Sequence, residues 1–260
     1  MPPHTTSALF RQIEALQGDT PWGRFLDAGT GVNSALWAQT LNTDTWVGIT
    51  GAEGHARQVS TALGHELRPQ DKLIVSNWMD NKLLEGHVFD TVLADYLVGA
   101  IEGFAPYFQS QIFRRLAPHV GKTLYIVGLD PYIVGDVSTE AGQMVRAIGR
   151  LRDSCLLLAD ETPYREYPAE WVANAASDAG FEILSAQRFP NRYKEKWVNG
   201  QLDMALRRLP KLRNTSLAAA LSDEIEALRE KGLRLCREEN GLRYGADYVI
   251  ACRTTAPYSA

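Results

Sequence analysis

Apolar residues along this chain recur at two alternating spacings, and the alternation predicts the order of its elements. Leu9, Phe10, Ile13 and Leu16 follow the three-and-four spacing of one helix face, with Thr5-Thr6-Ser7 as the cap and Gly18 as the stop. A turn cluster at 19–23 leads into a short apolar run, Arg24 to Asp27, predicted as a strand; a helix capped by Asn33 or Ser34 then reaches Leu41. Thr45 to Ile49 is a second strand, Glu53 to Leu63 a helix stopped by Gly64, Lys72 to Val75 a third strand and Phe89 to Ala94 a fourth. Phe104, Phe108, Ile112 and Leu116 fall every fourth residue and predict one helix closed by Pro118 and Gly121, before a fifth strand at Thr123 to Val127.

Beyond this point the rhythm changes. Thr139 to Leu158 carries a long helical pattern, and a proline- and tyrosine-rich loop runs from Thr162 to Pro168. Pro168 is well placed to start a helix bearing Trp171, Val172, Ala175 and Ala179, which Gly180 ends. Phe181 to Ser185 and Asp247 to Cys252 are the last two strands. Between them lie roughly sixty residues of helical character, including Leu217, Leu221, Ile225 and Leu228, too long for an ordinary hairpin loop.

Short alternation of strand and helix predicts an α/β fold: a doubly wound, mostly parallel seven-stranded sheet, helices on both faces, and helical insertions late in the chain. The expected organisation is a single domain, 1–260. It has an N-terminal helix at 1–20, a core at 21–130, a helical insertion at 131–168, completion of the sheet at 169–189 and 244–253, and a lid or oligomer arm at 190–243.

Composition narrows the function classes. A hydrophobic share of 45% with 22% charged residues is that of a globular protein, and a net charge of -4 gives no general attraction to nucleic acid or anionic membrane. The three cysteines, Cys155, Cys236 and Cys252, lack paired-ligand spacing, and the five histidines show no i, i+4 pairing, so neither a disulfide framework nor a metal site is expected. No apolar run is long enough to cross a membrane and no leader is evident, so a cytoplasmic protein is expected.

The chemistry is expected at the end of the first strand, where Leu26-Asp27-Ala28-Gly29-Thr30-Gly31 breaks into a Gly-x-Gly turn. Glycine lets the backbone approach a ligand at the mouth of a sheet. A nicotinamide dinucleotide site would prefer a third glycine where Ser34 stands, and an acid where the second strand ends in Thr50.

With Asp27 placed two residues before Gly29, the stretch resembles the first motif of the class I S-adenosylmethionine-dependent methyltransferases. The resemblance covers Arg24 to Val127 and, less fully, the final hairpin. It implies that Asp27 lies near the ammonium group of S-adenosylmethionine, with Gly29, Thr30, Gly31 and Ser34 beneath its amino acid and ribose. Thr50 and Gly51 occupy the ribose-binding position, where Thr50 replaces the usual acid and Glu53 could share the contact. Asn77 and Trp78 stand beside the adenine, and Asp95, with Tyr96, lies beneath the transferable methyl.

The resemblance further implies methyl transfer by in-line displacement to a small organic acceptor. A general base is needed only if that acceptor must lose a proton, and Asp95, Tyr96 and Tyr193 are the candidates. Tyr132, Arg192, Tyr193 and Trp197, with Tyr164, Tyr167 and Lys194 nearby in sequence, offer an aromatic wall with cations for acceptor binding. The same aromatic residues could simply pack the insertion, and the 217–228 helix could equally dimerise or cover the pocket. Nucleic acid and membrane are not expected partners. Three other readings stay open: an aminopropyltransferase of the spermidine synthase type, a binding protein that keeps the sheet without turnover, and, ranked last, a nicotinamide enzyme.

Overall fold

A computed structural model describes residues 7–64 and 67–255. Thr5 and Thr6 lie outside the described residues; Ser7 caps α1 (Ala8–Gln17), its hydroxyl accepting from the Phe10 amide at 3.2 Å. The elements that follow are β1 (Arg24–Asp27), α2 (Val32–Ala38), β2 (Thr45–Thr50), α3 (Glu53–Leu63), β3 (Lys72–Val75) and β4 (Phe89–Asp95). Then come α4 (Leu97–Ala100), α5 (Ile112–Leu116), β5 (Val120–Leu129), α6 (Glu140–Leu158) and α7 (Ala169–Asp178). The chain closes with β6 (Phe181–Tyr193), α8 (Glu195–Leu206), α9 (Thr215–Glu238) and β7 (Leu242–Thr254).

The seven strands form one sheet in the order β3-β2-β1-β4-β5-β7-β6. From β3 to β5 the neighbours are parallel, with Leu26 opposite Val47 on one side and Val92 on the other. Because β7 is inserted between β5 and β6, the sheet as a whole is mixed and carries antiparallel strands. The central strands are apolar throughout: Phe25, Leu26, Val92, Leu93, Leu124 and Ile126 have no exposed surface. Burying each such side chain contributes about 1.5–3 kcal/mol, so the middle of the sheet anchors the fold.

One predicted element is corrected. Phe104, Phe108, Ile112 and Leu116 do not share a helix: a 3-10 turn spans Ile101–Gly103, turns follow, and only Ile112–Leu116 is α-helical. Pro106 lacks an amide proton and clashes with a preceding turn, and Tyr107 sits at φ 68°, so the apolar spacing cannot be realised as one helix. Three strands also outrun their apolar centres, β5, β6 and β7 having 10, 13 and 13 residues. Arg192 and Tyr193 thereby fall on the end of β6 rather than in a loop.

The chain divides into two compact units. The first runs through Leu129 and takes in Tyr167–Arg188 and the chain from Tyr248; it holds the parallel ladders and the main apolar core. The second comprises Asp130–Glu166 and Phe189–Asp247. In it α6, α8 and α9 pack together, and a Cβ added at Gly232 would stand 3.3–3.4 Å from Val198, Ile148 and Met144, so a bare glycine lets the helices approach. Among the described residues no helix is long and apolar enough to cross a membrane, and no group of three His, Cys, Asp or Glu could hold a metal ion.

Candidate functional site

In the first unit, β1 ends at Asp27, whose side chain has no exposed surface and whose two carboxylate oxygens find no hydrogen-bond partner. Burial pushes its carboxyl up to about 7. Ser34, Thr30 and the Gly29 amide lie close enough to pull it partly back. The two hydroxyl protons are nonetheless given away: Thr30 Oγ1 donates to the Asp27 carbonyl at 3.0 Å, and Ser34 Oγ to the Gly31 carbonyl at 3.2 Å.

The turn above it is tightly fastened. The Ala28 amide donates to Leu93 and the Thr30 amide to Ile49, at 2.8 and 2.7 Å, while Trp78 Nε1 donates to the Ala28 carbonyl. The two glycines differ. A Cβ at Gly29 would press on Leu97 at 3.2 Å, whereas one at Gly31 would meet nothing within 4 Å. A side chain at Gly29 would therefore be crowded by Leu97, while Gly31 borders open space. At Gly48 a Cβ would collide with Thr30 Oγ1 and the Trp46 ring at 2.6 Å, so the bare backbone of β2 is what lets the turn close down.

Around this turn the structure distributes the remaining residues singled out in the sequence. Thr50 is buried at the end of β2, and its carbonyl accepts from the Ser76 amide at 3.0 Å. Gly51 is exposed, and its missing side chain leaves room for the Phe104 ring. Asn77 uses both ends of its amide: Nδ2 donates to the Phe104 carbonyl at 2.8 Å, and Oδ1 accepts from the Met79 amide at 3.0 Å. Trp78 is buried, with Arg115 5.5 Å above its ring, and in this structure its indole ties the loop after β3 to the glycine turn. Asp95 is half-buried at the end of β4; Tyr96 follows in the left-handed region, φ 49°, its amide fixed to the Val127 carbonyl.

Tyr132, Tyr193 and Trp197 belong to the second unit and come together there. Ring centroids are 6.3 Å apart for Tyr132 with either partner and 4.3 Å apart for Tyr193 with Trp197. Arg192 does not join them; it is exposed, and its aliphatic stem lies over Gly241. Burial raises the Tyr193 phenol, so it stays protonated and offers a hydrogen-bond donor rather than a base.

Two residues of this cluster escaped the sequence reading. Arg152 donates to Asp153 Oδ1 at 2.6 and 2.8 Å, to the Tyr132 hydroxyl at 2.7 Å, and to Gln201. Glu166 is pushed up to about 7 by burial, against the pull of Arg152 and with help from Asp247 and Asp153. Arg152 carried no local signal beyond a charge on the apolar α6 pattern. Glu166 sat in a loop already marked by its tyrosines, and that was the available hint.

No protein-family model and no curated protein sequence matches the chain. Its fold does match solved structures. A mycolic acid cyclopropane synthase complexed with S-adenosylhomocysteine and CTAB aligns at TM-score 0.57 and 16% identity, over 94% of this chain and 84% of that one. Coclaurine N-methyltransferase bound to N-methylheliamine and S-adenosylhomocysteine aligns at 0.53 and 13%, over 95% and 71%.

The fold is that of the class I S-adenosylmethionine-dependent methyltransferases.

Within this methyltransferase fold the chemistry varies: the (4+2)-cyclase SpnF aligns at 0.55 and 14% identity, over 94% of this chain and 79% of its own. The methyltransferase fold therefore identifies the scaffold, and the site has to supply the reaction.

Proposed function

We propose that this chain binds S-adenosylmethionine on the glycine turn after β1 and passes its methyl group to a small organic acceptor. The observation that carries the reading is Asp27, a sealed carboxylate without a hydrogen-bond partner, beneath a turn that is open at Gly31. A buried carboxylate calls for a counter-charge. S-adenosylmethionine has two cationic groups, its sulfonium and its ammonium, whereas the pyrophosphate of a dinucleotide would bring a charge of the same sign. The fold, shared with structures holding S-adenosylhomocysteine, supports the same reading.

The residues present fit such a group. Gly29, Thr30 and Gly31 would carry its amino acid portion and Thr50 would meet its ribose, with Asp95 and Tyr96 at the end of β4 toward the methyl. When bound, the cofactor supplies an electrophilic methyl on a sulfur that leaves neutral. The chain's contribution is then positional: a fastened turn holds one reactant in place, and correct placement alone can be worth several kcal/mol.

Tyr132, Tyr193 and Trp197 form an aromatic wall of the kind that suits a small organic ligand within the second unit. If the methyl acceptor must lose a proton, Asp95 and Tyr96 are the candidates in the first unit.

One observation favours a second reading, a binding protein without turnover: Thr50 is neutral, and the Asn77 amide is already engaged by Phe104 and Met79. Calorimetric titration with S-adenosylhomocysteine, followed by mass analysis of products from an acceptor panel, separates the cases. Binding with a gain of one methyl is the expected result. Binding without product favours the second reading, a gain of an aminopropyl group redirects the assignment, and no binding at millimolar ligand ends it.

A further inference from the structure

Arg115 and His119 close a chain of contacts that ends on the glycine turn. From α5, the Arg115 guanidinium donates to the carbonyls of Asp80 and Leu83 at 2.9 and 2.7 Å, and its central carbon lies 5.5 Å from the centre of the Trp78 ring. Arg115 thereby fastens the segment that carries Trp78, whose indole is committed to the Ala28 carbonyl. Its other contact is to His119, Nη1 to Nε2 at 2.6 Å, and His119 Nδ1 lies 2.8 Å from the His87 carbonyl. His119 is 4% exposed, with its ring 6.2 Å from that of Trp78.

These neighbours allow the imidazole one protonation state. A carbonyl only accepts, so Nδ1 carries the proton; a guanidinium only donates, so Nε2 must present its lone pair. A second proton would set N–H against N–H across the 2.6 Å contact, and a cation against a cation. Among the described residues, the charged and titratable groups acting on His119 are Arg115 from α5 and His87 from the segment before β4, both basic. The Asp80 carboxylate in the Trp78 segment is engaged by the Lys82 amide at 2.9 Å. Burial, with Arg115 and His87, holds the imidazole below the usual histidine range, against the opposing pull of the His87 carbonyl.

We infer that neutral His119 is a positioning residue of the cofactor site, and that its protonation unlatches Arg115, frees the Trp78 segment and loosens the glycine turn, so that cofactor affinity falls in acid; the inference rests on the cofactor reading proposed above. The direction follows from linkage: a ligand that needs the fastened turn favours the neutral imidazole, and protons therefore compete with it. Asp27 adds a decline of its own, because a cationic ligand favours its charged form, and substitution separates the two.

Two readouts test the latch, one of them without any ligand. In the full chain with isotope-labelled tryptophan, the Trp78 indole N–H resonance, assigned by its loss in Trp78→Phe, is followed between about pH 7.5 and 5. It should shift or broaden in the wild type and stay in place in His119→Gln, whose amide offers a donor and an acceptor but takes up no proton. Calorimetry with S-adenosylhomocysteine over the same range reads the link to the site: the wild type should lose about fivefold more affinity than His119→Gln, the low end of ordinary coupling between sites. Should His119→Gln not fold, Asp27→Asn replaces it, and a loss of about fivefold should persist there. An indole resonance that acid leaves unmoved in the wild type, an equal loss of affinity with and without His119, or no loss in Asp27→Asn overturns the inference. If the wild type binds no S-adenosylhomocysteine at any pH, the cofactor reading itself has failed and takes this inference with it.

Discussion

Trp78 and Ala28 stand 50 positions apart in sequence, and the indole Nε1 of one donates to the carbonyl of the other at 2.7 Å. The bond is buried and joins the loop after β3 to the glycine turn after β1. Trp78→Phe removes the donor together with part of the indole, leaving a buried carbonyl unsatisfied and a small void beside it. The expected cost is about 1–3 kcal/mol in urea unfolding, together with weaker binding of S-adenosylhomocysteine as the turn loosens. Unchanged stability would mean that the carbonyl finds another donor.

Gly29 and Gly31 should respond differently to the same substitution. Gly29→Ala presses a methyl onto Leu97 at 3.2 Å and is expected to cost about 1–3 kcal/mol. Gly31→Ala meets nothing within 4 Å, at φ -116°, and should leave the thermal midpoint unchanged. Its methyl would enter the open space above the turn, so S-adenosylhomocysteine should bind at least tenfold more weakly, by about 1.4 kcal/mol or more. Equal loss of stability in both variants would remove Gly31 from the ligand face.

Asp27 and Glu166 each titrate near 7 in the folded chain, above their ordinary values of 3.8 and 4.5. The folded state therefore holds protons that the unfolded state has released. Their contribution to stability is fully present below about pH 4 and is lost as pH rises through about 7. Urea unfolding between pH 5 and 8 should show this decline, and Asp27→Asn and Glu166→Gln should each flatten part of it. A slope that neither variant changes would show that other groups set it.

Bound S-adenosylmethionine reverses the sign for Asp27, since a cation above the turn favours the charged carboxylate. Asp27→Asn is accordingly expected to bind S-adenosylhomocysteine, which keeps the ammonium but has a neutral sulfur, with a smaller penalty than S-adenosylmethionine. Identical penalties in calorimetry would locate the interaction at the ammonium alone.

In the second unit, Arg152 and Asp153 form a buried pair, their side chains 12% and 9% exposed. Arg152→Met strands the Asp153 carboxylate and should cost about 3–5 kcal/mol, whereas the double variant Arg152→Met with Asp153→Asn should recover much of it. Additive losses in denaturant unfolding would show that the tie to Tyr132 and Gln201, not the ion pair, is what matters.

The order of elements from α1 to β4 was legible because each announces itself locally. Ser7 caps, Gly64 stops, and the strands are short apolar runs whose ends coincide with polar residues. The spacing from Phe104 to Leu116 misled because periodicity counts side chains and ignores the backbone: one proline outweighs four well-placed apolar residues. Strand ends in β5, β6 and β7 were illegible because pairing with a neighbouring strand, absent from any local window, prolongs them past their apolar centres.

For the site, the chain's own residue order already set the glycine turn, the acid before it and the class of fold, since these follow from contiguous residues and from the alternation of strand and helix; the burial of that acid came from folding. What each side chain does there came from the folded arrangement. Asn77 spends its amide on Phe104 27 positions away, Trp78 serves the turn, and Glu166 gains its raised pKa from burial and from Asp247 and Asp153, against the pull of Arg152. Hydrogen bonds and desolvation depend on which distant groups folding brings within a few ångströms, and the linear pattern of apolar and polar positions carries no record of that pairing.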